Sequence, residues 1–223
     1  MDAPRFIAVE GPIGAGKTTL ARSIAERMNS ALVLEQFDEN PFLPDFYQDR
    51  KRLAFQTQIF FLLSRYRQQR ELLQPDLFFD RWVSDYVFAK DRIFAGINLT
   101  EEELRLYGEI ESTLSREIPI PDVVIYLQST VPALLAKIDH RGRDFEKKIA
   151  REYLQSVVEA YNHFFYHYRD TRLIVVDANR LSIIEHPEQL DRIMDAIYRD
   201  PGPPVEYLSF AEQPFFSLPA DQE

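Results

Sequence analysis

The 223-residue sequence contains no cysteine and only seven glycines, and its basic residues are outnumbered by its acidic ones. The absence of cysteine excludes disulfides and thiolate metal sites. With 26 basic against 36 acidic residues and a formal net charge of -10, the chain is not expected to bind DNA or RNA, because that affinity depends on neutralising phosphates. No window approaches about 18 consecutive apolar residues, so no membrane-spanning helix is predicted. The amino-terminal residues lack the apolar stretch of a secretory signal, and we therefore expect a soluble protein of the cytoplasm.

Five short apolar segments are predicted to be buried strands, and each is followed by a helical pattern. They span residues 6–10, 31–35, 82–85, 123–127 and 173–177. This alternation is typical of an α/β fold in which helices cover both faces of a parallel sheet. The sequence therefore predicts a five-stranded parallel sheet flanked by helices, similar to P-loop NTPases, in one domain over residues 1–200.

Two further helices do not fit a simple crossover between strands. Residues 52–73 have an unusually long helical pattern, and the pattern over residues 101–116 opens with a capping box of Thr100 and Glu103. Their apolar faces exceed what one sheet face covers, so we expect a homodimer.

Five prolines interrupt the sequence after Asp200. Residues 201–223 are thus predicted to be a proline-rich extended tail, whose apolar groups favour docking of a part of it.

The most informative motif is a loop between the first strand and the first helix, Gly11-Pro12-Ile13-Gly14-Ala15-Gly16-Lys17-Thr18, followed by Thr19. Glycines let such a loop turn its N–H groups toward phosphates, the lysine reaches the outer phosphates, and the hydroxyl after it ligates Mg²⁺. A strand before the motif and a helix after it are the context that it requires. We therefore predict binding of ATP or GTP by Gly11, Gly14, Ala15, Gly16, Lys17, Thr18 and Thr19, with Mg²⁺ at Thr18.

Two carboxylates stand at the carboxyl ends of predicted strands, where ligands bind in open parallel sheets. Glu35 closes the second strand and Asp85 closes the third. Either acid is suited to accept a proton from a substrate hydroxyl or to help hold Mg²⁺. The alternative interpretation is that each acid caps the helix that follows it.

A basic turn follows the predicted helix over residues 131–140. Arg141 and Arg143 flank Gly142 in this turn, and a mobile loop would let their forked donors close over a phosphoryl group as a lid. A basic turn at a helix end is also typical of a solvated surface. In combination with the phosphate loop and a strand-end acid, a lid of two arginines indicates a kinase, because phosphoryl transfer depends on positioning and charge stabilisation.

The ordered motifs of the chain resemble the deoxynucleoside kinase family, and within it the bacterial deoxyguanosine and deoxyadenosine kinase branch. The resemblance covers about residues 6–176. It rests on eight matches in the same order: EGPIGAGKTTL at 10–20, E at 35, ENPFL at 39–43, FY at 46–47, AFQ at 54–56, IFA at 93–95, IYL at 125–127 and RGR at 141–143. It implies transfer of the γ-phosphoryl group of ATP to the 5′-hydroxyl of a deoxynucleoside, a purine preferred, in nucleotide salvage.

The resemblance also implies the roles of particular residues. Glu35 would take the proton of the 5′-hydroxyl, and Tyr47 and Glu146 would hold the 3′-hydroxyl of the sugar. Arg141 and Arg143 would form the lid. In the alternative interpretation Tyr47 is an aromatic residue packed in the core.

The nucleoside base would be bound by Gln56. An amide is suited to this task because it donates and accepts hydrogen bonds in one plane. The alternative is that Gln56 is a glutamine on a helix surface.

One motif departs from the family pattern. The family usually has an acid-arginine-serine triplet after the third strand, whereas this chain offers residues 80–82, Asp-Arg-Trp, or the pair Asp85 and Tyr86. We favour Asp85 as the acid near Mg²⁺, because its position is at the strand end, and Tyr86 then stands at the substrate where the arginine is expected. The missing cation would be supplied by Lys90 or Arg92, one turn further on.

Three other functions remain alternatives. A nucleoside monophosphate kinase, such as a thymidylate kinase, would need a further positive site for the phosphate of the acceptor. A GTPase-like switch is disfavoured because the sequence has no Asn-Lys-x-Asp segment. A non-catalytic structural subunit of the same fold is the third alternative, although degenerate relatives typically lose the loop lysine and Lys17 is intact here.

Overall fold

The computed structural model describes residues 4–74, 78–143 and 146–210. Within them, six strands form one sheet: β1 (Phe6–Glu10), β2 (Ala31–Val33), β3 (Trp82–Ser84), β4 (Val123–Gln128), β5 (Arg172–Asp177) and β6 (Val205–Leu208). The α-helices of these residues are α1 (Lys17–Met28), α2 (Leu43–Phe46), α3 (Arg50–Glu71), α4 (Lys90–Asn98), α5 (Glu101–Leu114), α6 (Val131–Arg141), α7 (Arg151–His167) and α8 (Pro187–Tyr198). In the same part of the chain, no helix combines the length and the apolar character needed to cross a membrane.

All strand pairs of the sheet are parallel, and the strand order is β2-β3-β1-β4-β5-β6. The order reverses at β1, because the chain first builds the β2 and β3 side and then crosses to β4. In open parallel sheets, ligands bind outside the carboxyl ends of the strands at such a reversal. The loop after Glu10, at the end of β1, therefore enters the expected ligand crevice.

The α/β prediction is confirmed, but the sheet has six strands instead of the predicted five. The additional strand, β6, lies in the segment predicted to be a tail and pairs with β5. Glu206 anchors it, with carboxylate oxygens 3.1 Å from Arg172 Nη2 and 2.8 Å from Arg199 Nη1. Three prolines just before this four-residue strand concealed it. The remainder of the predicted tail, residues 211–223, lies outside the described residues.

The core lies on both faces of the central strands. Every residue of β1 is buried, as are the first five residues of β4, which is the burial pattern of a parallel sheet covered on both sides. The apolar stripe of α1, formed by Leu20, Ile24 and Met28, is buried in this core. Its packing holds α1 beneath the loop that precedes it.

A second, smaller apolar cluster joins the long helix α3 to α4 and α5. Leu62, Phe88, Ala95 and Tyr107 form it. The predicted capping box begins α5, with the Glu103 N–H 3.3 Å from Thr100 Oγ1 and the Thr100 N–H 3.0 Å from Glu103 Oε2. This layer of helices closes one side of the crevice and directs one face of α3 into it.

Candidate active site

The phosphate-binding loop connects the end of β1 to Lys17, where α1 begins. Gly14 and Gly16 have φ angles of +85° and +100°, in a backbone region that glycine enters without strain. A Cβ atom at Gly14 would also meet Ile138 Cγ1 at 2.9 Å. These two turns carry the loop around the amino end of α1, where backbone N–H groups suit a phosphate.

The Lys17 side chain lies along this loop. Its Nζ donates to the carbonyl oxygens of Gly11 and Pro12 at 2.7 and 3.1 Å. Burial, followed by repulsion from the charge of Lys90, lowers the pKa of Lys17 to about 8, although nearby carboxylates partly oppose both effects. Additional negative charge would favour the ammonium form, so this lysine is suited to meet a triphosphate.

Asp85 follows β3 directly and joins two parts of the site. Its Oδ2 accepts a hydrogen bond from Thr18 Oγ1 at 2.5 Å, and its Oδ1 accepts one from the Glu35 N–H at 2.8 Å. The Thr18 hydroxyl and the Asp85 carboxylate are hard oxygen donors of the kind that Mg²⁺ prefers. The structure thus brings together the two residues predicted to hold the metal, and their chemistry fits that ion.

The alternative acid, Asp80, is exposed and precedes β3, so it lies at the amino end of that strand, away from the crevice. The substrate contact predicted for Tyr86 has to be corrected. Tyr86 is fully buried, its hydroxyl donates to Gln68 Oε1 at 3.2 Å, and it does not line the cavity that Lys17, Glu35 and Asp85 share. Its side chain lies in the interior, with its hydroxyl against α3.

Two cations hold the carboxylate of Glu35. Arg65, on α3, donates to Oε1 from Nε at 2.9 Å and also from Nη2, and Lys90 Nζ donates to Oε2 at 2.9 Å. Burial raises the pKa of this carboxyl, but the charges of Arg65 and Lys90 outweigh burial and hold the pKa of Glu35 well below its usual range. Glu35 is therefore ionised at neutral pH and can accept a hydrogen bond from a hydroxyl.

Glu10 is a buried carboxylate beneath the loop that sequence reasoning did not single out. Its Oε1 accepts hydrogen bonds from the Gly11 N–H at 2.8 Å and the Tyr161 hydroxyl at 3.1 Å, and its Oε2 accepts one from the Val87 N–H at 2.9 Å. It ties the start of the loop to the segment after β3. The feature of the sequence that could have indicated Glu10 is an acidic residue placed between an apolar strand and a glycine.

One cavity opens between the loop, α3 and the segment after α6. Its empty space amounts to about 840 Å³, a value that includes open solvent at its mouth. The predicted site residues on its wall are Gly14, Lys17, Thr18, Glu35, Tyr47, Asp85, Arg141, Arg143 and Glu146. The residues predicted for phosphate, proton and sugar thus face one space.

Glu146 lines the same cavity and pairs with both predicted lid arginines. Arg141 Nη2 is 2.6 Å from each oxygen of Glu146, and Arg143 Nη1 is 3.4 Å from Oε1. The Arg143 guanidinium also lies 4.1 Å from the ring centroid of Phe37. The two arginines and the predicted sugar ligand therefore form one cluster, with Tyr47 on the same wall.

The glutamine that lines the cavity is Gln58 and not Gln56. Gln56 is exposed on α3, whereas Gln58 is buried. Gln58 precedes Arg65 by seven residues, about two helical turns, and so shares its face, while Gln56 precedes Arg65 by nine residues and lies on the opposite face. Gln58 Oε1 is buried without a hydrogen-bond partner among the described residues. A buried amide oxygen in this state is suited to accept a hydrogen bond from a ligand.

Of the two cations predicted as alternatives after Asp85, Lys90 is the one in the cavity. Arg92 points away from it, with Nη2 3.0 Å from Glu111 Oε2 and a side chain that is 60% exposed. The two residues are separated by about 200° on α4, so only one of them can face the site.

Comparison with known proteins agrees with this geometry, since the family profile of deoxynucleoside kinase matches residues 7–200. The chain belongs to the deoxynucleoside kinase family. It is 38% identical over 164 residues to a deoxyguanosine kinase of Bacillus subtilis (strain 168), which covers 72% of this chain and 78% of that one. It is 36% identical over 195 residues to a deoxyadenosine kinase of Dictyostelium discoideum, covering 86% and 78%. The structure of deoxyadenosine kinase from M. mycoides with bound dATP matches with a TM-score of 0.75 at 26% identity, covering 86% of this chain and 97% of that one.

Membership in this family confirms the predicted class of activity. The protein is a deoxynucleoside kinase, a phosphotransferase that uses ATP. The intact loop lysine and the enclosed acid, Lys17 and Glu35, are the parts that this chemistry requires.

Proposed function

We propose that this kinase transfers the γ-phosphoryl group of ATP to the 5′-hydroxyl of a purine deoxynucleoside. The position of Glu35 carries the proposal, because its carboxylate shares one cavity with Lys17 and Thr18 of the loop and with Tyr47 and Glu146. A nucleoside whose 3′-hydroxyl binds Tyr47 and Glu146 then presents its 5′-hydroxyl to Glu35.

In this mechanism Glu35 accepts the proton of the 5′-hydroxyl as its oxygen attacks the γ-phosphorus. The new O–P bond forms while the bond from the γ-phosphorus to the bridging oxygen breaks, and ADP leaves with that electron pair. Lys17 and the loop N–H groups stabilise charge on the outer phosphates, and Arg141 and Arg143, which line the same cavity, add further cations. Because the transition state is loose, positioning and charge are the main contributions of the protein.

We also propose that Thr18 and Asp85 hold Mg²⁺. Their oxygens, Oγ1 and Oδ2, are 2.5 Å apart at the amino end of α1, and both are donors that this ion prefers. When bound there with ATP, Mg²⁺ would neutralise negative charge on the phosphates.

A second cavity adjoins the loop on its other side. It is lined by loop residues, by Lys137 and His140 of α6 and by residues 181–184. Leu181 and Ile183 make part of this wall apolar, as is typical of a site for a planar ring. We assign the adenine of ATP to this cavity and the acceptor nucleoside to the cavity of Glu35.

The preference for a purine is supported by Gln58 and by the similarity to deoxyguanosine and deoxyadenosine kinases. The amide of Gln58 can accept a hydrogen bond from an amino group and donate one to a ring nitrogen in the same plane. Phe37 and Phe61 contribute rings to the wall beside it.

Gln58→Ala is expected to raise the KM for the deoxynucleoside about tenfold, because two hydrogen bonds to the base are worth about 1.5 kcal/mol or more. The KM for ATP should stay unchanged, since Gln58 belongs to α3 and not to the phosphate-binding loop. Gln56→Ala, on the exposed face of the same helix, is the matched control. Steady-state kinetics with both substrates measure these values, and equal effects of the two variants would contradict the assignment.

A nucleoside monophosphate kinase would need a cation for the phosphate of the acceptor. Beside Glu35, the cations Arg65 and Lys90 are already engaged by carboxylates. Arg65 contacts Glu35 and Asp91, and Lys90 contacts Glu35. This pairing favours an acceptor without a phosphate.

Assays of the four deoxynucleosides and their 5′-monophosphates with ATP test the proposed function. We expect deoxyguanosine or deoxyadenosine to have the highest kcat/KM and the product to be the 5′-monophosphate. Faster turnover of a monophosphate would contradict the proposal. ATP binding without transfer to any acceptor would instead favour a structural subunit.

We further propose a homodimer that acts in the cytoplasm, where ATP is available. Helices α3 and α5 keep apolar side chains at the surface, since Leu63, Leu104 and Leu106 are 38%, 38% and 48% exposed. Covering such side chains favours association. Light scattering should give twice the chain mass of 26.2 kDa, and the mass of one chain would contradict a dimer.

A further inference from the structure

Two histidines lie one turn apart on the exposed face of α7. His167 follows His163 by four residues, and the centroids of the two rings are 4.5 Å apart. The buried face of α7 contributes Tyr153 and Tyr161 to the cavity of Glu35. His163 follows Tyr161 by two residues, which is about 200° around the helix. The histidine pair therefore lies outside the active site, and the proposed mechanism makes no use of it.

A hydrogen bond determines the tautomer of one of the two rings. His167 Nδ1 lies 2.9 Å from the carbonyl oxygen of His163. Because a carbonyl oxygen only accepts, Nδ1 of His167 carries the hydrogen, and in the neutral ring Nε2 then holds the lone pair. Histidines that bind metal ions usually donate their other ring N–H to a carbonyl or carboxylate oxygen in this way. His167 is thus in the form that presents Nε2 to a metal ion.

The ring of His163 is available to the same ion. Its side chain is exposed, and neither of its nitrogens has a hydrogen-bond partner among the residues that the structure describes. Two histidines four residues apart on one helix face bind zinc in the H-E-x-x-H motif. The sequence over 163–167 is His-Phe-Phe-Tyr-His, which lacks the glutamate that serves as the base in that motif. The pair is therefore suited to bind a metal ion, without the hydrolytic chemistry of that motif.

We propose that His163 and His167 chelate a divalent transition-metal ion, with Zn²⁺, Cu²⁺ and Ni²⁺ as the class of ligand. Imidazole nitrogens suit these ions, whereas Mg²⁺ prefers oxygens such as those of Thr18 and Asp85. Within the described part of the chain, no group of three or more histidine, cysteine or acidic side chains could hold a metal ion. The two rings are thus the protein ligands, and water completes the coordination. This site goes beyond the proposed function and does not depend on it.

The end of the helix is a favourable place for such an ion. His167 is the last residue of α7, and the carboxyl end of a helix favours positive charge. Arg169 shows the same preference, since its Nη1 donates to the carbonyl oxygens of Tyr166 and Tyr168. The chelated ion joins two successive turns of α7, a geometry that the unfolded chain lacks. Binding therefore stabilises the folded protein by mass action.

Calorimetric titration of the full chain with ZnCl₂ tests the site. The protein carries no histidine tag, and excess MgCl₂ occupies oxygen sites without competing for imidazole. His163→Ala and His167→Ala should each weaken Zn²⁺ binding at least about tenfold, since even the outer partners of metal ligands are worth about 10- to 100-fold in affinity. The matched control is His186→Ala, which removes an exposed histidine paired with Glu188 and should leave the affinity unchanged.

Thermal unfolding gives a second readout of the same site. Zn²⁺ should raise the Tm of the wild type and of H186A, and it should leave the Tm of H163A and H167A unchanged. Both variants are expected to fold, because the two histidines are exposed and alanine is favourable in a helix. NMR of the ring nitrogens should show that Zn²⁺ shifts the Nε2 signal of His167, while Nδ1 keeps its hydrogen.

Three results would overturn the inference. They are no binding of Zn²⁺ by the wild type at about 1 mM, a loss of less than about tenfold in either H163A or H167A, and a loss in H186A equal to theirs. If circular dichroism shows that one of the two alanine variants is unfolded, the other decides. None of these readouts involves kinase activity, so failure of the wild type to phosphorylate any deoxynucleoside would refute the proposed function alone.

Discussion

Replacing Glu35 with glutamine is expected to lower kcat about 1,000-fold, since a positioned base contributes roughly 10²- to 10⁴-fold. The amide still accepts a hydrogen bond from the 5′-hydroxyl but cannot take its proton. The KM for ATP should change little, because the loop is intact. Steady-state kinetics measure both values, with Asp38→Asn, an exposed acid in the same connection, as the matched control. Equal kcat values for E35Q and the wild type would refute Glu35 as the base.

The same substitution is expected to destabilise the protein. Glu35 is 16% exposed and is the shared partner of Arg65 and Lys90. Without its charge, Arg65 retains only Asp91 as a carboxylate partner, and Lys90 retains only Glu10. Breaking a buried ion pair by removing one partner costs about 3 to 5 kcal/mol, and we expect a loss of about 3 kcal/mol in the free energy of unfolding. Urea unfolding at pH 7 measures this loss.

The low pKa of Glu35 also gives the stability a dependence on pH. Because its pKa is lower in the folded chain than in the unfolded chain, the unfolded state binds more protons as the pH falls. The stabilisation is complete above the unfolded pKa of about 4.3 and is lost as the pH drops toward the folded value. The stability difference between the wild type and E35Q should therefore shrink below about pH 4.

Replacing Lys17 with methionine is expected to lower kcat/KM for ATP about 1,000-fold, because it removes a cation from the charge that develops on the outer phosphates. The loop itself should persist, since its turns depend on Gly14 and Gly16. Lys51→Met, which removes an exposed lysine from α3, is the matched control. Unchanged kcat/KM in K17M would refute the phosphate contact.

The lowered pKa of Lys17, about 8, adds a thermodynamic signature. A bound triphosphate favours the ammonium form, so ATP binding at pH 8 should take up about half a proton per site. Calorimetry in two buffers of different ionisation enthalpy measures this uptake, which K17M should lack. In the protein without nucleotide, Lys17 has a lower pKa in the folded chain than in the unfolded chain. The unfolded state therefore binds more protons between about pH 8 and pH 10, and the free energy of unfolding rises with pH in that range.

Most of the sheet could be predicted because its strands are short apolar runs buried on both faces. The prediction extended β2 to Glu35, but the strand ends at Val33, since the Glu35 N–H bonds to the side chain of Asp85. β6 could not be predicted from local pattern. It forms because its backbone pairs with the edge of β5 and Glu206 binds the side chain of Arg172. Both partners are distant in sequence.

The site residues were predictable where topology alone places them. Lys17, Glu35 and Asp85 follow strand ends, which must meet at one edge of a parallel sheet. Residues on helices were harder, because the sequence gives the spacing of side chains but not which face packs inward. The choices between Gln56 and Gln58 on α3, and between Lys90 and Arg92 on α4, are decided by the packing of those helices.

The pairing of β6 with β5 bears on how shortened versions of this enzyme would behave. A fragment that stops at Asp200, where the family match ends, would lack β6 and leave backbone N–H and C=O groups along one edge of β5 unpaired. Such edges recruit strands from other molecules. Fragments made for crystallisation should therefore keep residues up to Phe210 to avoid aggregation through this edge.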